Sequence, residues 1–341
     1  MCFRRSILII LYLGILGPIA LCTGSRGLDQ NDAPPDSRAP EGAATELKVM
    51  TWNISLREFL REDRVKEVRR IVLTSQADVV AFQEMTPEYY ELLISDPAFS
   101  NTYRMVPGNP ARIKGRLVFA TRLPVVESRY IRLPGRMGRY AQKTVFEVPV
   151  KKAKADARAA DYPESQKSGQ PGKSQKPMQS DHPADQNLQD RKQSTVRFTA
   201  LNVHLESYLE DGPIRASQIR RVIPLIRAPA LLLGDLNFGD GPEAAIERES
   251  LPSGYRDLWK ERHGSNPGLT WNQEENPLSL MFRFDGEKSR RLDYILLFEK
   301  SWKLQEIEML GQEKVLQYRG KPVPPSDHYA IFAHLIVAEE N

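Results

Sequence analysis

A carboxylate and an amide follow a short apolar run in the second half of the chain. In residues 231–238, three leucines precede Gly234, and Asp235 and Asn237 come next with one apolar residue between them. On a strand, side chains at positions i and i+2 point the same way, so Asp235 and Asn237 emerge together at the strand's end. A single Gly-Asp-x-Asn is also a common turn, so other residues must decide between the two interpretations.

Five other predicted strand ends carry polar residues of the same kinds. They deliver Asn53, Glu84, His204, Asp293 and the pair Asp327 and His328. Each one alone has a structural explanation, such as a turn cap or a half-buried histidine. Together they are hard to explain by turn chemistry, which would use glycine, proline and serine as readily. We therefore predict that these strand ends converge on one polar site.

These residue types suit one kind of chemistry. Carboxylate and amide oxygens are ligands for Mg²⁺, which binds through one or two carboxylates together with substrate phosphate. Histidines beside carboxylates stabilise charge on a phosphoryl oxygen or exchange a proton. The sequence has no Cys/His cluster for structural zinc, no glycine-rich Walker loop and no Gly-x-Ser-x-Gly elbow. We therefore predict an enzyme that hydrolyses a phosphate ester with Mg²⁺, or with Mn²⁺ in its place.

The spacing of apolar residues predicts the elements that carry this site. Strands are predicted at residues 47–54, 78–84, 195–204, 231–237, 291–297 and 329–337, and helices at 61–73, 87–93 and 213–226. Residues 116–150 show short alternating strands separated by proline and glycine turns. Because strands alternate with helices in both halves, we predict two packed sheets with helices outside, in a single α/β domain over residues 47–341.

The N-terminal residues have a different composition. Arg4 and Arg5 precede an uncharged apolar run over residues 6–22, which is the pattern of a secretory signal. Cys22 directly after this run resembles a bacterial lipoprotein box, although Leu21 is larger than the residue such a box usually has. A cleaved signal, a lipid anchor and an uncleaved anchor stay open for residues 1–22. All three predict an exported protein, either secreted or held in the cell envelope.

Two further segments lack the periodicity of folded elements. Residues 23–46 are rich in proline, glycine, alanine and aspartate, and we predict a flexible tether there. Residues 151–194 contain many lysines, glutamines, serines and prolines with one aromatic residue, Tyr162, which predicts a disordered surface insertion. The whole chain is 40% hydrophobic and 27% charged, as in soluble globular proteins, and its net charge of +4 does not by itself imply nucleic acid.

Six motifs carry a resemblance to a known superfamily. They are Thr51-Trp52-Asn53, Phe82-Gln83-Glu84, Asn202-Val203-His204-Leu205, Gly234-Asp235-Leu236-Asn237, Arg291-Leu292-Asp293-Tyr294 and Ser326-Asp327-His328. In this order they resemble the DNase I-like endonuclease/exonuclease/phosphatase superfamily. Within it, His204-Leu205-Glu206-Ser207, the later Arg215 and Gln218, and Leu269-Thr270-Trp271 resemble the 5′-tyrosyl-DNA phosphodiesterase branch. The resemblance implies a four-layer α/β sandwich, in which two packed mixed β-sheets are flanked by helices.

The resemblance also implies which residues hold the metal ion. Glu84 would be the main Mg²⁺ ligand, and Asn53 would assist it or contact the bound phosphate. Asp327 would reach the metal through a water molecule.

The same resemblance implies roles in catalysis. Asp235 would orient or deprotonate the attacking water, and Asn237 would contact the phosphate beside it. His328, oriented by Asp293, would stabilise the transition state, and His204 would hold another phosphoryl oxygen. Hydrolysis would be in-line, without a covalent enzyme intermediate.

The sequence is less specific about the substrate. Between Arg104 and Lys143 there are ten lysines or arginines and one acidic residue, Glu127, which suits DNA, RNA or an anionic lipid surface. The same residues also fit the outward positions of alternating strands. In this cluster we single out Arg116 as a substrate contact. Trp271 would stack on a base or aromatic leaving group, or else cover the sheet edge.

Three functions follow from these predictions. The first is a phosphodiesterase acting on nucleic acid, either a nuclease or an enzyme like the 5′-tyrosyl-DNA phosphodiesterases. The second is a lipid hydrolase like sphingomyelinase or a phosphoinositide phosphatase. The insertion at 151–194 lacks the apolar tip of a membrane-dipping hairpin, which weighs against the sphingomyelinase-like function. The third is a non-catalytic surface-binding protein, although none of the expected catalytic residues is missing. We expect a monomer that contacts a membrane only through its N-terminal segment.

Overall fold

Two six-stranded sheets form the centre of the fold. The structure is a computed structural model that describes residues 45–149 and 195–337. The predicted signal segment, most of the predicted tether and the predicted insertion lie outside the described residues, so these stay predictions. The first strand begins at Thr45, so residues 45 and 46, which we predicted as tether, belong to the sheet.

The predicted strands are present in their order along the chain, together with strands at residues 104–106, 256–257, 303–310, 316–318 and 321–323 that were not predicted. They are β1 (Thr45–Asn53), β2 (Val79–Gln83), β3 (Arg104–Val106), β4 (Val118–Thr121), β5 (Val125–Arg132), β6 (Tyr140–Pro149), β7 (Thr195–His204), β8 (Ala230–Asp235), β9 (Arg256–Asp257), β10 (Asp293–Phe298), β11 (Lys303–Leu310), β12 (Leu316–Tyr318), β13 (Lys321–Val323) and β14 (Ala330–Val337).

The helices lie between these strands. They are α1 (Arg61–Ser75), α2 (Pro87–Ile94), α3 (Pro97–Thr102), α4 (Gly212–Val222), α5 (Ala245–Ser250), α6 (Leu258–His263) and α7 (Pro277–Phe282). We predicted a helix to residue 226, but α4 ends at Val222, and Ile223–Leu225 forms a 3₁₀ turn. Pro224 explains the difference, because proline lacks the N–H that would continue the α-helix. Among the described residues, no helix has both the length and the apolarity needed to span a membrane.

Both sheets are mixed, as predicted. One has the strand order β11-β14-β1-β2-β4-β3, and the other has the order β5-β6-β7-β8-β10-β9. In each sheet the central pair is parallel, β1 with β2 and β7 with β8, and the neighbouring pairs are antiparallel. The polar edge strand β11 was not predicted, because its side chains are mostly partly or fully exposed and show no clear apolar alternation.

Three apolar clusters separate four layers. The cluster between the sheets takes alternate residues of the central strands, including Val49, Val79, Phe146, Leu231 and Ile295. On its outer face, the sheet that contains β1 and β2 packs against the apolar sides of α1 and α2. The outer face of the sheet that contains β7 and β8 packs against α4. Each fully buried aliphatic side chain contributes about 1.5–3 kcal/mol of transfer free energy. The predicted four-layer α/β sandwich is therefore confirmed.

The topology brings the predicted polar strand ends to one edge of the sandwich. β1, β2, β7 and β8 all end there, and β10 and β14 both begin there. Beneath this edge the two sheets are joined by Gln83, whose Nε2 donates to Asn202 Oδ1 at 2.8 Å. The Asn202 amide in turn donates to the backbone oxygen of Phe82 at 3.0 Å. The edge is thus tied across both sheets by buried amides.

Gly234 is required by the close approach of β7 to β8. Its φ is +135°, and a Cβ at this position would lie 2.0 Å from the carbonyl oxygen of Val203. No other residue fits this space, because the obstruction is backbone and the φ favours glycine. The close pairing sets His204 directly opposite Asp235 in the parallel register.

Candidate active site

A cleft of about 620 Å³ opens at this edge of the two sheets. Nine of the ten predicted site residues line it, namely Asn53, Glu84, Arg116, His204, Asp235, Asn237, Trp271, Asp327 and His328. The tenth, Asp293, is fully buried behind His328. The structure therefore brings together side chains that are up to 275 residues apart in the sequence, from Asn53 to His328.

Asp235 is the centre of the hydrogen-bond network in the cleft. Its Oδ2 accepts from Asn53 Nδ2 at 2.9 Å, and its Oδ1 accepts from the backbone N–H of Asn237 at 3.0 Å. The Nε2 atoms of His204 and His328 lie 3.4 and 3.8 Å from Oδ2. Burial raises the pKa of Asp235 to about 7, although His328 and the Asn53 hydrogen bond oppose the shift. A carboxylate with this pKa can accept a proton near neutral pH.

His328 is oriented by the buried carboxylate of Asp293. The His328 Nδ1 lies 2.8 Å from Asp293 Oδ2, which leaves Nε2 facing Asp235 and the cleft. Thr270 fixes the start of β10, because its Oγ1 accepts the backbone N–H groups of Leu292 and Asp293 at 2.9 and 3.1 Å. Burial lowers the pKa of His328, but Asp293 and Asp235 outweigh this effect and hold it well above the usual value. The imidazole is therefore protonated at neutral pH.

His204, unlike His328, is neutral. Burial lowers its pKa well below the usual value, and the positive charges of Arg139 and His328 lower it further. His204 is therefore neutral at pH 7, where it can donate one hydrogen bond but does not contribute a charge. The cleft thus combines one cationic and one neutral histidine beside the same carboxylate.

Glu84 and Asp327 are a pair of neighbouring carboxylates that line the cleft. Glu84 has φ 61° and follows β2 directly, and its Oε2 accepts the backbone N–H of Leu56 at 2.7 Å. Burial raises the pKa of Glu84, and the negative charge of Asp327 raises it further. A bound cation would offset this repulsion, so the pair fits the predicted metal ligands.

A second group of side chains is also spaced for a metal ion. Among the described residues, Asp235, Asp293 and His328 bring their ligand atoms within 4.8 Å of one another. In this group, however, Nδ1 of the protonated His328 already bonds to Asp293. A protonated imidazole has no free lone pair for a metal. The donor set of Glu84 and Asp327 is therefore the better match for Mg²⁺.

The two side-chain amides of the site are themselves held by hydrogen bonds. Asn53 uses its Nδ2 on Asp235, and its Oδ1 accepts the backbone N–H of Ser55 at 3.1 Å. That oxygen keeps a second lone pair, so the predicted role of Asn53 beside the metal stays a prediction. Asn237, in the left-handed region with φ 55°, donates its Nδ2 to the carbonyl of Leu205 at 3.1 Å.

Arg139 is a site residue that the sequence did not single out. It lines the cleft from the loop between β5 and β6, and its Nη2 donates to Ser207 Oγ at 2.5 Å. Burial lowers its pKa, and the charges of Asp235 and Glu84 act in the opposite direction, as expected for a guanidinium lying among carboxylates. The basic composition of residues 104–143 contained the signal, but nothing in the sequence separates Arg139 from the nine other cations there.

The two predicted substrate contacts occupy different positions in the cleft. Trp271 is only 6% exposed, and its ring meets the His328 ring nearly edge-on with centroids 5.0 Å apart. Arg116 is exposed at the rim, where its backbone carbonyl accepts the N–H of Met85 at 3.0 Å. Contact with substrate stays a prediction for both side chains.

One wall of the cleft is apolar. Leu56, Phe282 and Phe284 line it, and the Phe284 ring packs against Tyr208 with centroids 5.0 Å apart. The Arg57 guanidinium lies over the Phe282 ring at 4.7 Å. Leu56, Tyr208 and Phe284 are 37–41% exposed, so this wall can take an apolar or aromatic group of a ligand.

Comparison with known proteins identifies the family. The sequence model of the endonuclease/exonuclease/phosphatase family matches residues 50–328, which is most of the chain. The chain belongs to this family. A search of the curated proteins gave no match.

Solved structures share the fold of this family member. A humanized D. rerio TDP2 with 14 mutations has a TM-score of 0.59 and 19% identity, covering 86% of this chain and 99% of that chain. D. rerio TDP2 in complex with a single-strand DNA product has a TM-score of 0.59 and 18% identity, with the same coverage. The human nocturnin catalytic domain with bound sulfate has a TM-score of 0.50 and 14% identity, covering 85% and 94%. These similarities confirm the DNase I-like fold.

The raised pKa values of Asp235 and His328 predict a bell-shaped pH profile. Asp235 must be ionised to accept a proton, and its pKa is raised to about 7, so kcat/KM falls as the pH drops below about 7. His328 must stay protonated, and its raised pKa moves the alkaline loss well above pH 6.5. We expect this profile for hydrolysis at saturating Mg²⁺. A rate that stays constant down to about pH 5 would contradict the role of Asp235.

Proposed function

We propose that this protein is a Mg²⁺-dependent phosphodiesterase that cleaves an ester bond in nucleic acid. One observation carries the proposal. A buried carboxylate with a pKa near 7, Asp235, lies between one cationic and one neutral histidine, and it faces a cleft that also contains the carboxylates of Glu84 and Asp327. This arrangement can deprotonate a water molecule and stabilise negative charge on phosphorus-bound oxygens within the same cleft.

The proton transfers follow from the charge states of the side chains. Asp235, held by Asn53, accepts the proton of a water molecule that attacks phosphorus. His328 keeps its Nδ1 bonded to Asp293 and presents the Nε2–H to a phosphoryl oxygen. Arg139 and the neutral His204 donate hydrogen bonds to the remaining oxygens. As the water oxygen bonds to phosphorus, the P–O bond to the leaving group breaks on the opposite side, and the leaving oxygen takes a proton from solvent. No side chain in this scheme bonds covalently to phosphorus, so hydrolysis takes a single step.

Glu84 and Asp327 are the residues that would hold the metal ion. When bound there, Mg²⁺ would neutralise the charge of the phosphate and of the two carboxylates. The chain's own contribution is to keep Glu84 fixed through the Leu56 N–H and the left-handed backbone after β2.

Glu84→Gln is expected to weaken metal binding more than it weakens the fold. The substitution removes one of the two negative charges in the pair, so the Mg²⁺ concentration for half-maximal activity should rise by about 10- to 100-fold. A titration of activity against Mg²⁺ measures this change. Glu91→Gln, on the exposed side of α2, is the matched control and should leave the titration unchanged. An unaltered Mg²⁺ requirement in Glu84→Gln would exclude Glu84 as a ligand.

Two features of the cleft support nucleic acid as the substrate. Arg116 and Arg139 line it and add to the basic surface of residues 104–143, which suits a chain of phosphates. The aromatic wall with Phe282 and Phe284 can stack on a base or on an aromatic leaving group. D. rerio TDP2, which shares the fold, was crystallised with a single-strand DNA product, and this agrees with the proposal.

A substrate panel tests the proposed substrate class. The purified full chain with Mg²⁺ is offered single- and double-stranded DNA, RNA, a 5′-phosphotyrosyl oligonucleotide, sphingomyelin and phosphoinositides. We expect cleavage of the nucleic acids and fastest cleavage of a single-stranded substrate with a 5′-phosphotyrosyl end. Cleavage of lipids without cleavage of any nucleic acid would overturn the proposal in favour of a lipid hydrolase.

A further inference from the structure

Glu206 is a buried carboxylate that the proposed chemistry does not use. It is fully buried just after β7, two residues beyond His204, and its hydrogen bonds go to neutral donors. Its Oε1 accepts the backbone N–H groups of Arg136 and Met137 at 2.6 and 2.8 Å, and its Oε2 accepts Gln218 Nε2 at 3.0 Å. Burying a carboxylate is costly unless all of its oxygens are satisfied, so this arrangement calls for an explanation.

Gln218 on α4 completes this network in only one orientation. Its Nε2 donates to Pro134 O at 2.7 Å and to Glu206 Oε2, and its Oε1 accepts the backbone N–H of Glu206 at 3.0 Å. A flipped amide would place its oxygen against two acceptors and its nitrogen against a donor. Gln218 and Glu206 together therefore bind three positions of the loop between β5 and β6, namely Pro134, Arg136 and Met137.

Gly135 shows how closely this loop is held. Its φ is +133°, and a Cβ would lie 2.6 Å from Glu206 Oε2 and 3.0 Å from Gln218 Nε2. The backbone of the loop thus lies directly against the carboxylate, with no room for a side chain.

The same loop supplies one wall of the cleft. Met137, Gly138 and Arg139 follow the two N–H groups that Glu206 binds, and all three line the cleft. Ser207, next to Glu206, accepts a hydrogen bond from the Arg139 guanidinium. In the short segment from His204 to Ser207, His204 and Ser207 line the cleft, Ser207 also bonds to Arg139, and Glu206 holds the loop.

We propose that Glu206 is a positioning residue, which fixes the loop at 134–139 so that Arg139 reaches the phosphate of the substrate. This inference rests on the proposed function only in assuming that the cleft binds a phosphate group. Glu206→Gln is informative because the new amide nitrogen must face either the Arg136 and Met137 N–H groups or Gln218 Nε2. Either orientation sets donor against donor, and the loop is released while the volume of the side chain stays the same.

The test is the binding of inorganic phosphate, which is measured by titration calorimetry with Mg²⁺ present. Glu206→Gln and Arg139→Ala should each raise the Kd for phosphate by about tenfold. If Glu206 acts through Arg139, the double variant should bind phosphate no more weakly than Arg139→Ala alone. Glu210→Gln, the same change at an exposed position four residues later, should leave the Kd unchanged.

The thermal midpoint of each variant is measured as well, so that weaker phosphate binding by a folded variant can be told apart from unfolding. If Glu206→Gln fails to fold, Gly135→Ala disturbs the same loop and replaces it in the cycle. Additive losses in the double variant, or an unchanged Kd in Glu206→Gln, would overturn the inference. Phosphate binding requires no turnover, so coupled losses would support the role of Glu206 even if the panel of phosphodiesters showed no hydrolysis.

Discussion

Asp235→Asn is expected to lower kcat/KM by about 10²–10⁴-fold, the usual contribution of a general base. The new amide keeps the size of the carboxylate and its place between Asn53 and the two histidines, but it cannot accept a proton from water. Because the same carboxylate is bonded to the backbone N–H of Asn237, the local geometry of the strand end should persist. The measurement is steady-state hydrolysis by wild type and variant at saturating Mg²⁺.

The same variant should unfold close to the wild-type temperature. The pKa of Asp235 is raised from 3.8 to about 7, so its ionised form opposes folding, and this cost grows as the pH rises from about 4 to 7. At about 1.36 kcal/mol per pKa unit, the cost at neutral pH is about 4 kcal/mol. Asn removes it. Asp285→Asn, at an exposed position, is the matched control and should change neither rate nor Tm. A large fall in Tm with Asp235→Asn would mean that lost activity reflects unfolding.

His328→Gln is expected to lower kcat by about 10²–10³-fold, the size of effect seen when one donor to a developing oxyanion is removed. Glutamine can still hydrogen bond, but it lacks the positive charge that Asp293 and Asp235 maintain on the imidazole. The variant also leaves the buried Asp293 without its charged partner, so we expect a lower Tm as well. Kinetics and thermal unfolding are measured on the same preparation.

His334→Gln is the control for this substitution. His334 lies on β14, half-buried and 3.6 Å from Glu46, outside the cleft. We expect wild-type kcat and KM from it. Full activity in His328→Gln would contradict the assigned role of His328, whereas loss in both histidine variants would point to a general effect on the fold.

Most of the fold could be predicted from the periodicity of apolar residues. Strand β8 with its three leucines and helix α1 with its valines at helical spacing both lie where the sequence placed them. The edge strand β11 was not predicted because most of its side chains are exposed at the edge of the sheet, so its sequence is mostly polar. Helix α4 is shorter than predicted because Pro224 ends it. The proline is visible in the sequence, but the spacing of apolar residues alone does not show its effect.

The site was predictable where it depends on strand ends and not where it depends on a loop. Asn53, Glu84 and Asp235 follow buried strands, and the sheet topology alone brings such ends together. Arg139 lies in a loop with other basic residues; its guanidinium bonds to Ser207, and the backbone of its loop bonds to Glu206, some 70 residues later. Such long-range contacts leave no local pattern in the sequence.

The most direct test of the central claim is hydrolysis of a 5′-phosphotyrosyl single-stranded oligonucleotide by the full wild-type chain. Activity is followed first with Mg²⁺, then after excess EDTA, and again after Mg²⁺ is restored. The proposed function predicts release of tyrosine that stops with EDTA and returns with Mg²⁺, and release by Asp235→Asn that is at least about 100-fold slower with Mg²⁺ present. Hydrolysis that persists in EDTA, a wild-type rate in Asp235→Asn, or a folded protein that cleaves no phosphodiester with Mg²⁺ present would contradict it.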